Sequence, residues 1–131
     1  MSVAVPQWLQ ETVRAFGESL GLAHLALNGV GAAALHFDSG LTLRLEYAYE
    51  GLSVVAAVPT RGETEAIKRL LGYAYPALQG DYPVRTAYAA KKGEAVMMVR
   101  LAASEVTLPA LNGAVQALWR LVEDFRNRER A

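Results

Sequence analysis

The residues best equipped for chemistry are His24, His36 and five serines, Ser2, Ser19, Ser39, Ser53 and Ser104. Two imidazoles three or four residues apart on one helix can hold zinc, usually with a carboxylate motif beside them. His24 and His36 are much further apart, and neither adjoins such a motif. His36 lies between Leu35 and Phe37 in a strand pattern, so its side chain points away from theirs. No serine stands in the G-x-S-x-G setting of an activated nucleophile. Glu63 and Glu65 are two residues apart, on different helix faces, and read as charges favouring the helix dipole. Gly29-Val30-Gly31-Ala32-Ala33-Ala34 matches a loose G-x-G-x-x-A, but Asp38-Ser39-Gly40 ends the element before a dinucleotide-binding helix could form. With 0 cysteines there is no disulfide or thiolate metal site, and the composition fits a reducing cytoplasm. No catalytic residue, metal or cofactor is expected.

Charge narrows the partners. The chain has 131 residues, 13 basic and 13 acidic, for a net charge of +0. Lys91-Lys92 reads as a hairpin tip, and Arg126, Arg128 and Arg130 are interleaved with Asn127 and Glu129. Without a basic stripe, no nucleic acid partner is expected. No apolar run reaches the ~18–20 residues of a membrane span, and the N-terminus lacks the basic and apolar regions of a secretory signal. A cytoplasmic protein with no membrane insertion is the expectation. At 53% hydrophobic residues, the whole of 1–131 reads as one folded domain.

The periodicity gives the element order. Trp8, Leu9, Val13, Phe16 and Leu20 recur at helical spacing, so a helix is expected over 6–20, stopped by Gly21. Strands are expected over 32–37, 41–47 and 52–58; in the second, Leu41, Leu43, Leu45 and Tyr47 alternate with Thr42, Arg44 and Glu46. A helix over 63–75 carries Ile67, Leu70 and Leu71, and Pro76, Gly80 and Pro83 make the next stretch irregular. A second hairpin covers 84–90 and 95–102. The last helix, 108–128, starts at a Thr107 cap, and its charged RNRERA end is expected to fray. The fold class is therefore α+β: an antiparallel sheet in the order helix, three strands, helix, two strands, helix.

The third strand is apolar on both faces, as are Val96 and Met98 opposite Met97 and Val99. Tyr73, Tyr75, Tyr82 and Tyr88 gather around the second helix and fourth strand. Such a surplus of apolar and aromatic surface points to a protein partner. An adaptor or assembly subunit fits it, and a small enzyme or ligand-binding domain is a weaker fit.

The phrase from Phe16 to Asn28 (FGESLGLAHLALN), then Gly31, then Leu35-His36-Phe37-Asp38-Ser39-Gly40-Leu41-Thr42-Leu43, resembles the class I chaperones of type III secretion systems, the Tir chaperone-like family. There a helix closes on "LGL", an "L-x-L" follows, and an "L-x-F-D" hairpin leads into an alternating strand. The resemblance implies a non-catalytic, bacterial cytosolic homodimer of a virulence system. It would bind the N-terminal region of a secreted effector as an extended segment, keeping it soluble and secretion-competent. By that resemblance, Leu25, Leu27, Leu35, Phe37, Val55 and Met98 are candidates for the effector surface. Ile67, Leu70, Leu71, Tyr73, Val84, Thr86 and Tyr88 are candidates for the dimer interface. Those chaperones are commonly acidic, whereas this chain is neutral.

Overall fold

A computed structural model describes residues 4–75 and 80–130. Helix α1 is Gln7–Ser19, followed by strands β1 (Ala32–His36), β2 (Thr42–Ala48) and β3 (Gly51–Pro59). Helix α2 is Thr64–Gly72, β4 is Val84–Ala89, β5 is Glu94–Ala102 and α3 is Leu108–Arg130. The strands form one antiparallel sheet in the order β1-β2-β3-β5-β4. This is the expected α+β order, and the alternation in β2 sets its faces. Leu43 and Leu45 are buried, while Thr42, Arg44 and Glu46 lie on the other side.

The helices share one side of the sheet. Leu9, Val13 and Phe16 of α1, Ala66 and Leu70 of α2, and Leu111, Leu118, Val122 and Phe125 of α3 join Leu43, Leu45, Val54, Val58, Met97 and Val99 in one core cluster. Val55 and Ala57, on the opposite face of β3, are also buried, at 4% and 0%, yet stand outside that cluster. Their cover comes from their own sheet: Val55 pairs with Arg44 and Met98, and Ala57 with Thr42 and Val96. Apolarity on both faces of β3 therefore does not require a second helical layer.

The ends of α2 and α3 depart from the expectation, each for a local reason. Helix α2 stops at Gly72 instead of 75, because glycine weakens the last turn and the amides of Tyr73 and Ala74 bond to carbonyls only three residues back. Its expected irregular sequel at Pro76 lies outside the described residues. Between α1 and β1, residues 22–28 are irregular and strapped to α1. Leu27 N–H donates to Gln10 Oε1 at 2.9 Å, and Gln10 Nε2 donates to Leu27 C=O at 2.8 Å. Leu25 packs where a Cβ on Gly17 would stand, which explains a glycine inside α1. Finally, α3 does not fray at Arg128. It runs to Arg130 because Thr60 Oγ1 donates to Glu129 Oε2 and Arg61 donates to Glu129 C=O at 2.6 Å. The expected cap is present: Ala110 N–H donates to Thr107 Oγ1 at 3.2 Å.

Phe125 is 1% exposed, with the Arg69 guanidinium 5.4 Å from its ring centroid. Phe125→Ala removes core volume and a cation–π contact, and should cost about 3–5 kcal/mol in urea melts.

Candidate functional site

Nothing in the described residues assembles a reaction centre. No group of three or more His, Cys, Asp or Glu that could hold a metal occurs among them. His24 is an exposed turn residue with φ 63°; His36 is exposed on β1, its Nδ1 3.2 Å from Thr42 Oγ1. No described helix is long and apolar enough to cross a membrane.

The sheet edge offers something more specific. Tyr47 N–H donates to Gly31 C=O at 2.8 Å, and Phe37 N–H to Leu41 C=O at 2.9 Å. In an antiparallel ladder these fix the hydrogen-bonded pairs, so odd-numbered residues of β1 turn their backbone groups toward β2 and even-numbered ones turn them outward. Ala32 is sealed: its N–H donates to Asn28 Oδ1 at 3.0 Å, and its C=O accepts from Asn28 N–H at 2.9 Å. That leaves the outward N–H and C=O of Ala34 and His36 unpaired among the described residues. An edge of this kind templates another strand.

The edge has apolar ground on its helix side. Leu35 and Phe37 are half-buried against the core, and the Phe37 ring meets Trp119 of α3 edge-to-face, with centroids 5.7 Å apart and planes at 79°. Trp119 stays 37% exposed, with Nε1 donating to Glu123 at 3.0 Å. On the other side of β1 a cleft of about 290 Å³ is lined by Ala34, Arg44, Glu46 and Lys92. Lys92, from the β4–β5 turn, thus reaches the same hollow as β1.

The candidate effector residues divide between places. Leu35 and Phe37 lie at this edge. Leu25 is half-buried on α1, and Leu27, 4% exposed, is part of the core. Val55 and Met98 pair side by side on the helix-free face. Trp119 and the backbone of Ala34 and His36 are additions. Trp119 was readable only as part of a helical stripe, and an unpaired carbonyl has no signature in side-chain patterns.

The candidate dimer residues also separate. Leu70 and Val84 are core, at 0% and 5%, and Thr86 and Tyr88 are half-buried on the face of β4 that α2 covers. Ile67 is half-buried on α2, Leu71 is 53% exposed on its outside, and Tyr75, 68% exposed, lies beyond its last residue, Gly72. Tyr73 instead ties α2 to α3, donating from its hydroxyl to Asp124 Oδ2. Arg128 Nε also bonds Asp124, at 3.1 Å. The Tyr73 hydrogen bond, with Arg128 behind it, holds the Asp124 carboxyl below the usual carboxylate range. Burial, then the bond to Asp124, pushes the Tyr73 phenol well above its ordinary value. An open cleft of about 560 Å³ beside them is lined by Tyr82, Gln116 and Arg120 among others.

Comparison with known proteins gives these surfaces a context. The profile of the family described as "Type III secretory system chaperone SycN" matches residues 8–125. A chain of the ExsC–ExsE complex superposes with TM-score 0.72 and 18% identity, covering 98% of this chain and 96% of that one. A chain of the HopA1–SchA chaperone–effector complex gives 0.69 and 17%, covering 98% and 100%. One from the ExoU–SpcU complex of the Pseudomonas aeruginosa type III secretion system gives 0.58 and 22%, covering 85% and 95%. At such identities these likenesses show the fold. A search of curated proteins gave no match.

The Tyr73–Asp124 pair generates a pH prediction. Asp124, depressed in the fold, stabilises above its unfolded pKa, and that share is lost as pH falls through the folded value. Tyr73, raised in the fold, stabilises fully below its unfolded pKa of about 10, and that share is lost as pH rises past it toward the folded value. Urea melts should show a plateau between about pH 5 and 9 and a fall on either side. Tyr73→Phe should cost about 1 kcal/mol at pH 7 and shrink the alkaline fall.

Proposed function

The chain belongs to the SycN family of type III secretory system chaperones, and from that premise we propose that it holds an extended segment of a secreted effector along the free edge of β1. As a chaperone of this family it acts by binding and is not an enzyme. In this reading the chain works in the bacterial cytoplasm as one domain, and the effector segment stays soluble and competent for secretion while bound.

The carrying observation is the unpaired backbone of Ala34 and His36 beside the Leu35–Phe37–Trp119 shelf. An added strand would draw affinity from those four backbone groups. Its alternate side chains would fall on the apolar shelf and on the side of the Ala34–Arg44–Lys92 hollow, which supplies selectivity. Asn28 seals Ala32, so pairing begins at Ala34. The solved neighbours that come from a chaperone–effector complex and a type III secretion complex support an occupant of this kind.

We further propose a homodimer built on the outside of α2, at Ile67 and Leu71, with Tyr75 just beyond its end. Leu71 and Tyr75 are large groups exposed at 53% and 68%, and Ile67 is half-buried on the same helix as Leu71, a composition that suits an interface core. The main alternative, an adaptor for folded subunits, lacks a comparable feature: an open strand edge suits extended chain.

The test uses proline placement. Ala34→Pro removes an outward N–H that the sheet does not use, so the fold should survive. Effector binding should weaken at least about 10-fold, because a backbone bond is lost and the ring obstructs the edge. Ala33→Pro removes a ladder donor instead and should lower stability by about 1–3 kcal/mol. Titration against the N-terminal part of a co-purified secreted protein reads the first, and urea melts the second. Unchanged binding by Ala34→Pro would remove the β1 edge from the mechanism.

For the dimer, Leu71→Asp should give a folded monomer in light scattering, whereas Leu70→Asp, in the core, should fail to fold.

A further inference from the structure

The β2–β3 hairpin adopts a conformation its sequence disfavours. Tyr49 and Glu50 form a two-residue loop between the paired Ala48 and Gly51, with φ of 52° and 55°. Two successive left-handed residues make the turn that Asn-Gly occupies at little cost. A tyrosine and a glutamate, each with a Cβ, are strained there.

Neighbouring groups hold the strain in place. The Arg100 guanidinium lies across Gly51, where any Cβ would meet it. It donates to Ala48 C=O at 2.8 Å, to Tyr49 C=O at 3.0 Å and to Ser53 Oγ at 3.3 Å. Glu50 C=O accepts from Ala103 N–H at 2.9 Å. The result is a fixed turn whose Tyr49 side chain is 96% exposed. Nothing within the described chain uses the ring that this arrangement displays.

We infer that Tyr49 is a docking tip for a folded protein carrying a pocket deep enough for a phenol ring. Shape decides the class of occupant. Extended segments are held by grooves and strand edges, but a single ring on a projecting turn has neither and needs a concave receptor. Tyrosine suits the role, with large area, two side-chain torsions and a polar end. Place decides the timing. Ala34 and His36 pair with Arg44 and Thr42, whereas the tip follows the far end of β2 at Ala48, roughly 13–20 Å along the strand at ~3.3 Å per residue. An effector strand on β1 leaves the tip free. The inference rests on the chaperone reading, and its receptor acts after effector capture, on the way to secretion.

Tyr49→Asn with Glu50→Gly, introduced at the chromosomal locus, relaxes the turn and removes the ring together. Three readouts are compared with wild type: effector co-purified with the chain, oligomeric state by light scattering, and effector released to the medium. We expect a Tm higher by roughly 3–6 °C. Co-purification and oligomeric state should be unchanged, and release should be reduced at least about fivefold, as for an interface anchor. Tyr49→Phe should keep release. Normal release by the double variant would overturn the inference. So would a loss of co-purification or a shift to monomer, which would assign the tip to the effector or to a second copy. A wild-type chain that brings down no secreted protein would overturn the chaperone reading itself, and this inference with it.

Discussion

Strands β3 and β5 pair along nine residues each, Gly51–Pro59 against Glu94–Ala102, and this ladder joins the two halves of the chain. On one side stands the β1–β2–β3 meander, on the other the β4–β5 hairpin. Each half can form locally, but neither has a core alone. The ladder aligns Leu52, Val54, Ala56 and Val58 with Leu101, Val99, Met97 and Ala95; α3 rests on this continuous apolar floor, with α1 packed against α3 and α2 against α3 and β4. Because β3 and β5 are central, β1 and β4 become the edges. The placement of the open edge, and so of the site proposed for the effector, follows from a pairing far from it.

One-sided helical cover is the second consequence. The opposite face has no described helix, and at its centre the buried Val55 and Ala57 are flanked on the neighbouring strands by Arg44 and Met98 and by Thr42 and Val96. To this apolar packing the outer elements add polar ties: Gln10 to Leu27, Tyr73 to Asp124, Thr60 and Arg61 to Glu129. These polar bonds join segments distant in sequence and set helix positions that apolar contact alone leaves free to slide.

Much of this was legible in the sequence. Strict alternation in β2 set its faces, helical stripes gave all three helices, and Thr107 marked the start of α3. The resemblance in the stretch from Phe16 to Leu43 led to the family that the profile match shows. What stayed hidden depends on distant partners. Glu129 looks like part of a charged tail until Thr60 and Arg61 meet it. Leu27, Leu70 and Val84 read as surface candidates because periodicity separates faces but not core from interface. The free groups of Ala34 and His36 depend on which neighbour β1 lacks, and Asn28 sealing Ala32 is visible only in three dimensions. The left-handed backbone of Tyr49 and Glu50 was hidden as well, since the sign of φ is not written in those residue types.

The central claim is that an extended segment completes the sheet at β1. Amide hydrogen exchange of the chain, with and without the bound N-terminal part of a co-purified secreted protein, tests it most directly. The account predicts that the Ala34 and His36 amides exchange freely alone and become protected in the complex, while Ala33 and Leu35, already in the ladder, change little. Protection that leaves Ala34 and His36 exchanging freely would contradict it.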